Sequence, residues 1–182
     1  MPPPHQAHDD RLLDALTAIK PTPFAGPVWR IVRDGRSALD GSRGAGRWNP
    51  AHLSVLYCSM EADGALSEIH FHLSLGQPVF PSRIRHTLFE MRATAKKTLK
   101  LADMAALRKF GVEADKYKEM LYPRTQEIGD AAAFLGYDGL IAPSARYPCA
   151  NLVLFLENIG EGALAVVGER PVDWTAWKKA RR

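Results

Sequence analysis

The stretch "HLSVLYCSMEADGALSEIHFHLSL", residues 52–75, changes its hydrophobic period halfway along. Through Ser59 it is a short, nearly continuous apolar run containing Val55, Leu56, Tyr57 and Cys58, which reads as a buried strand. From Met60 onward the apolar groups recur at Ala62, Ala65, Leu66, Ile69 and Leu73, the one-face spacing of an amphipathic helix that tolerates a single glycine, Gly64. Glu68 and His72, four residues apart, fall together on a face beside that apolar stripe. A strand passing straight into a helix calls for a fold that mixes both elements.

Upstream, "DRLLDALTAIK" (10–20) carries Leu12, Leu13, Leu16 and Ile19 at helical spacing and stops before Pro21 and Pro23. "PVWRIV" reads as a short strand feeding "RDGRSALDGSRGAGRWNP" (33–50), eighteen residues with four glycines and no period, hence a long loop of the kind that is functional or disordered. Downstream come strand-like segments near 79–94 and a short helix around 102–109. A helix capped by Thr125, with Glu127 in its first turn, ends at Gly136. The strand "GLIA" and the turn "PSAR" follow, then "CANLVLFLEN" and "GALAVVGER" as two further buried strands and "VDWTAWKKA" as a last short helix. Strands and helices do not alternate strictly, so the expected class is α+β, one mixed α/β domain.

The 182-residue chain fits one domain with a real core, and its 46% hydrophobic and 24% charged content is that of ordinary globular proteins. The longest apolar run, "LVLFL", is strand length, and "MPPPHQAHDD" lacks a signal-peptide apolar region, so the expected location is cytoplasmic. Cys58 and Cys149 lack CxxC spacing and read as reduced, buried thiols. The net charge of +4 is spread along the chain apart from "WKKARR", which gives a mild preference for anions. No helix-turn-helix or RNP signature is present, so direct nucleic-acid binding is a minor alternative.

Three glycines at 41, 44 and 46 invite a nucleotide-loop reading, yet the stretch runs into "RWNP" and then a strand, failing both the GxxxxGK[ST] and GxGxxG contexts. Glycines alone are a turn. Arg47 beside them could grip a phosphate bidentately while glycine amides approach the same anion. Arg30, inside a strand, turns to the face opposite Trp29 and Ile31, and such an arginine is ordinarily solvated. In "EIHFH", His70 and His72 are two apart and do not face one another on a helix, and HExxH is absent, so no metal site is expected. Glu68 is then either a helix-face carboxylate or a catalytic acid in a cleft. Ser144 lacks a GxSxG elbow and reads as a turn residue or a hydrogen-bond donor to a ligand.

Taken in order, "VWRI", the loop closed by "GRWNP", "VLYCSMEADGALSEIHFHL", "FLGYDGLIAPSAR" and "NLVLFLEN" resemble the RES domain, a family named for an arginine, a glutamate and a serine and found as the toxins of bacterial Xre/RES toxin–antitoxin pairs. The resemblance spans roughly residues 24–160, with 1–23 as a helical lead-in to a single domain over 24–182. It implies a fold similar to ADP-ribosyltransferases and NAD as the substrate, with no metal. Residue by residue, it puts Arg30 on the arginine of the first strand, Arg47 on that of the glycine loop, Tyr57 on the strand tyrosine, Glu68 on the helix glutamate and Ser144 on the serine after "GLIAP".

By that resemblance Glu68, Arg47 and Tyr57 are the catalytic group, and Arg30, Arg47, Tyr57 and Ser144 hold NAD. Glu68 stabilises positive charge at the ribose, the arginines hold the pyrophosphate, Tyr57 stacks on the nicotinamide ring, and Ser144 fixes the nicotinamide end or a ribose hydroxyl. The implied partner is a cognate Xre-type antitoxin that covers the NAD site, with nucleic acid reached only through it. The implied acceptor is a protein, such as an enzyme of nucleotide-precursor metabolism, with water or phosphate as the alternative. Residues 95–125 match nothing in the resemblance.

Overall fold

A computed structural model describes residues 7–42, 44–75 and 84–181. Six strands and five α-helices follow in the order α1 (Asp10–Thr17), β1 (Thr22–Arg33), β2 (Val55–Ser59), α2 (Ala62–Ser74), β3 (His86–Lys100), α3 (Met104–Arg108), α4 (Pro123–Phe134), β4 (Gly139–Pro143), β5 (Ala150–Phe155), β6 (Leu164–Pro171) and α5 (Trp174–Lys179). This is the expected α+β class. Long antiparallel strands β1, β3 and β6 form one half of the sheet, and the short buried strands β2, β5 and β4 form the other. Two seams join the halves, the antiparallel Trp29–Ser59 pairing of β1 with β2 and a parallel β3–β4 pairing from Thr98 to Lys100. The ladder therefore closes on itself, with β6 outside.

The seams explain how the sequence is used. β2, β4 and β5 are largely buried and are dominated by Val, Leu, Ile, Ala and Phe, with Tyr57, Ser59 and Asn151 among the exceptions. β3 alternates buried and exposed side chains and changes phase between Leu88 and Met91, beside the point where its register with β6 shifts. The main core places Leu12 and Leu16 of α1 with Ile128, Ala131 and Ala132 of α4 over Leu99, Leu140 and Phe155. Tyr137 Oη also donates to the carbonyls of Leu16 and Ile19, so α1 is an integral layer of the domain.

Several expectations change on contact with the fold. The first strand is twelve residues long and begins at Thr22, so a boundary after residue 23 falls inside it. Pro23 and Pro27 are tolerated there because the strand's second edge is bridged only at Trp29. The strand expected near 79–94 is β3, which starts at His86 and continues to Lys100, while 79–83 lie outside the described residues. "GALAVVGER" is not a buried strand: β6 is an edge strand whose Val166 and Val167 are exposed, because only β3 pairs with it. Thr125 is not the cap of α4. Tyr122 holds that position and Pro123 opens the helix, while Thr125 lies fully buried within the first turn. Both cysteines are free, Cys58 buried and Cys149 half-buried.

Candidate active site

The loop 34–54 crosses the end of β2 and is held there by side chains in place of a backbone ladder. Asn49, entirely buried, donates through Nδ2 to the carbonyls of Gly44 (3.0 Å), Pro50 (3.1 Å) and Leu53 (3.0 Å). Its Oδ1 accepts from Tyr57 Oη at 2.8 Å, and Tyr57 Oη in turn accepts the Trp48 amide at 2.9 Å. Burial pushes the Tyr57 phenol up to about 12, which keeps the proton it donates. Gly46 lies under this pair: a Cβ there would stand 2.6 Å from Tyr57 Oη and 2.7 Å from Asn49 Oδ1. That glycine serves packing against the tyrosine rather than the approach of a ligand to the backbone.

Helix α4 grips the other side of the loop. Thr125 Oγ1 donates to the Arg47 carbonyl at 2.5 Å and Gln126 Nε2 to the Gly46 carbonyl at 2.8 Å. Gly129 lets the helix approach so closely that a Cβ would fall 1.8 Å from the Trp48 carbonyl oxygen. With its backbone fixed at Gly46 and Trp48, Arg47 turns its side chain outward, where Nε donates to the Glu119 carbonyl at 3.2 Å and the guanidinium lies 5.5 Å from the Tyr117 ring centroid.

These groups wall a cavity of about 320 Å³ whose lining includes Arg30, Arg47, Tyr57, Glu68, His72 and Asn151. Glu68 projects from α2, which is seated by Ala65 and Leu66 against Ile31, Leu88 and Trp174. Its Oε1 accepts from Ser144 Oγ at 2.6 Å and from Asn151 Nδ2 at 3.3 Å. Among the described residues no hydrogen bond reaches Oε2. Ser144 is itself oriented by the Arg146 amide, which donates to its Oγ at 3.1 Å. The serine thus stands behind Glu68 and off the cavity wall, while the other four predicted residues line it. Among the described residues Arg30 Nη1 is buried without a hydrogen-bond partner. Burial lowers its pKa, opposed by Cys58 and Asp40 and reinforced by Arg36.

His72 lines the cavity and burial lowers its pKa, with Glu68 opposing and Arg47 and Arg146 adding to the effect. His70 turns the other way, its ring 5.2 Å from that of Trp177. A second cavity of about 370 Å³ adjoins the first, sharing Arg30, Ser42 and His72 and extending to Arg33 and Arg36. Sequence reasoning missed Asn151, whose only signal is one polar residue inside "CANLVLFL". It also missed Met120 and Leu121, which reach the cavity from the segment that the resemblance left unplaced.

Fold and site together define a cleft of two adjoining cavities, with Arg30, Arg33, Arg36 and Arg47 along it and the Glu68 carboxylate on its wall. The RES domain family model matches residues 27–175, and the chain belongs to that family. No curated protein matches it. Among solved structures, the crystal structure of the M. tuberculosis MbcT–MbcA toxin–antitoxin complex contains a similar chain. The likeness is 21% in identity with a TM-score of 0.84, covering 96% of this chain and 99% of that one. No helix among the described residues is long and apolar enough to cross a membrane.

Proposed function

We propose that the protein is the toxin of a toxin–antitoxin pair and consumes NAD, breaking the nicotinamide–ribose bond and transferring the ADP-ribosyl group to a protein side chain. The observation that carries this reading is Glu68 at the cavity wall with Oε1 tied to Ser144 and Asn151 and Oε2 unengaged among the described residues. Departure of nicotinamide leaves positive charge on the ribose. A carboxylate already oriented by two donors stabilises that charge without reorganising as the bond breaks. Nicotinamide leaves as a neutral molecule, so no strong general acid is required.

Two buried polar atoms support the fit of a dinucleotide. Arg30 Nη1 is a donor suited to a phosphate oxygen, and Asn151 Oδ1 is an acceptor suited to a ribose hydroxyl or a carboxamide N–H. Asn151 cannot exchange its two ends without turning its oxygen toward Glu68 Oε1, so the acceptor stays free for a ligand. The two adjoining cavities, joined at Arg30, supply length for both halves of NAD. Tyr57, its hydroxyl engaged with Trp48 and Asn49, offers only its ring to the nicotinamide.

The structural likeness to a toxin–antitoxin complex supports a cognate antitoxin. By the family resemblance that partner is of the Xre type, its segment enters the same cleft, and DNA is reached through it. The deciding experiment incubates the purified chain, free of antitoxin, with labelled NAD and a cell lysate. Nicotinamide release with a labelled protein band is the expected result. Release with no labelled protein makes the enzyme NAD-depleting, with water or phosphate as acceptor. No turnover by the wild-type chain overturns the reading. Alanine substitutions in loop 39–47 that leave antitoxin affinity unchanged would remove that loop from the interface.

A further inference from the structure

Glu68 and Ser144 belong to different elements, α2 and the turn after β4, and their 2.6 Å bond exists only while those elements stay in register. Arg181 touches both. Its Nη1 donates to Ser67 Oγ at 3.0 Å, one residue before Glu68, and its guanidinium lies 5.1 Å from the ring centroid of Tyr147, three residues after Ser144. The same guanidinium lies 4.6 Å from the Trp177 ring centroid, and Trp177 Nε1 donates to Asp63 Oδ1 at 3.1 Å, at the start of α2. Trp174, buried one turn earlier, anchors α5 by packing on Ala65 and Leu66 and by donating to His86 Nδ1 at 3.2 Å. Trp177 and Arg181 both lie beyond the last residue that the family model matches.

We propose that Arg181, carried by the segment that follows α5, is a positioning residue that clasps α2 to the 144–149 turn and so holds Glu68 on Ser144. A planar guanidinium suits this task because it donates in its plane and stacks on an aromatic ring through its face, which lets one side chain join three elements. Arg181 does not touch the cavity, so it acts on the chemistry only through the Glu68–Ser144 geometry. The proposal rests on Glu68 being the reacting carboxylate.

The test is a kinetic cycle on the full chain with Arg181→Ala, Ser144→Ala and the double variant, together with amide hydrogen exchange of residues 62–74 and 144–149. Arg181→Ala is expected to lower kcat for NAD consumption about three- to tenfold with KM for NAD unchanged. In the Ser144→Ala background the same substitution is expected to have no further effect, because the bond it protects is already gone. Exchange is expected to speed up in both segments, and Arg181→Lys, which keeps the charge without the planar face, to recover only part of kcat. Unchanged kcat, or a full additional loss in the Ser144→Ala background, overturns the proposal, as does exchange that stays at the wild-type rate in either segment. If the wild-type chain turns over no NAD, the functional reading fails on its own account, and the exchange comparison still decides whether the clasp exists.

Discussion

The loop 34–54 and helix α2 bring functional side chains to one cavity by opposite means. The helix satisfies its own backbone and is seated by apolar contacts of Ala65 and Leu66, so Glu68 is not needed to hold the helix in place, and its carboxylate, oriented by Ser144 and Asn151, faces the cavity. The loop has no such ladder, and its carbonyls at 44, 46, 47, 50 and 53 are met by side chains of Asn49, Gln126 and Thr125. Several of its conspicuous residues are therefore scaffold, while the Arg47 side chain turns outward to the cleft. Substitutions in the loop should damage fold and function together, whereas substitutions on the helix face should damage function alone.

The sharpest way to break that contrast is Asn49→Ala, which removes a fully buried side chain and its bonds to the Gly44, Pro50 and Leu53 carbonyls and leaves Tyr57 without its acceptor. The expected loss is about 3–5 kcal/mol of stability, read from denaturant unfolding, with activity falling in parallel. A variant as stable as the wild type would mean that the loop is held by something else. Glu68→Gln should do the reverse, lowering NAD turnover about 100- to 1000-fold while the melting temperature stays put. If it consumes NAD at the wild-type rate, Glu68 is not the reacting carboxylate. If it unfolds the protein, α2 is not the self-sufficient element described above.

Tyr57→Phe falls between these two. It keeps the ring on the cavity wall but removes the acceptor of the Trp48 amide and the donor to Asn49 Oδ1, for an expected loss of about 1–3 kcal/mol in a thermal melt. A large fall in turnover with no change in stability would instead give the hydroxyl a direct part in catalysis. The smallest expected effect lies outside both regions, at His86. Burial there, reinforced by Arg33 and opposed by the Ile84 backbone and Asp34, lowers the pKa below the ordinary 6.5, and Nδ1 must stay unprotonated to accept from Trp174. The unfolded chain takes up the proton first, so the contribution of His86 to stability is whole above pH 6.5 and is lost as the pH falls below that value. His86→Asn, which keeps an acceptor without the titration, should flatten the acid limb of the melting curve by about 1 kcal/mol or less.

Periodicity alone placed α1, β2, α2, α4, β4 and β5 close to their observed spans, because each buries one face or both and so writes its environment into its spacing. Where burial is set by neighbours, spacing misled. "GALAVVGER" has the composition of a core strand but lies at the sheet edge, and Thr125 looks like a cap because nothing local shows that its hydroxyl meets the Arg47 carbonyl. The site divides in the same way. Arg30, Arg47, Tyr57, Glu68 and Ser144 were legible as motif positions, whereas Asn151, Met120 and Leu121 reach the cleft through pairings and turns that leave no trace in their own segments.

By itself, then, the sequence determined the elements, the α+β class and the polar groups available to a cleft, since these depend on side-chain chemistry and local spacing. Only the tertiary structure decided which of those groups are tied up in holding the loop and which remain open to a ligand. Tyr57 gives up its hydroxyl to Trp48 and Asn49, Ser144 is spent on Glu68, and Arg30 keeps a buried nitrogen that no described residue partners. The reason is that hydrogen-bond capacity is a property of the residue, while its consumption depends on what the fold brings within about 3 Å.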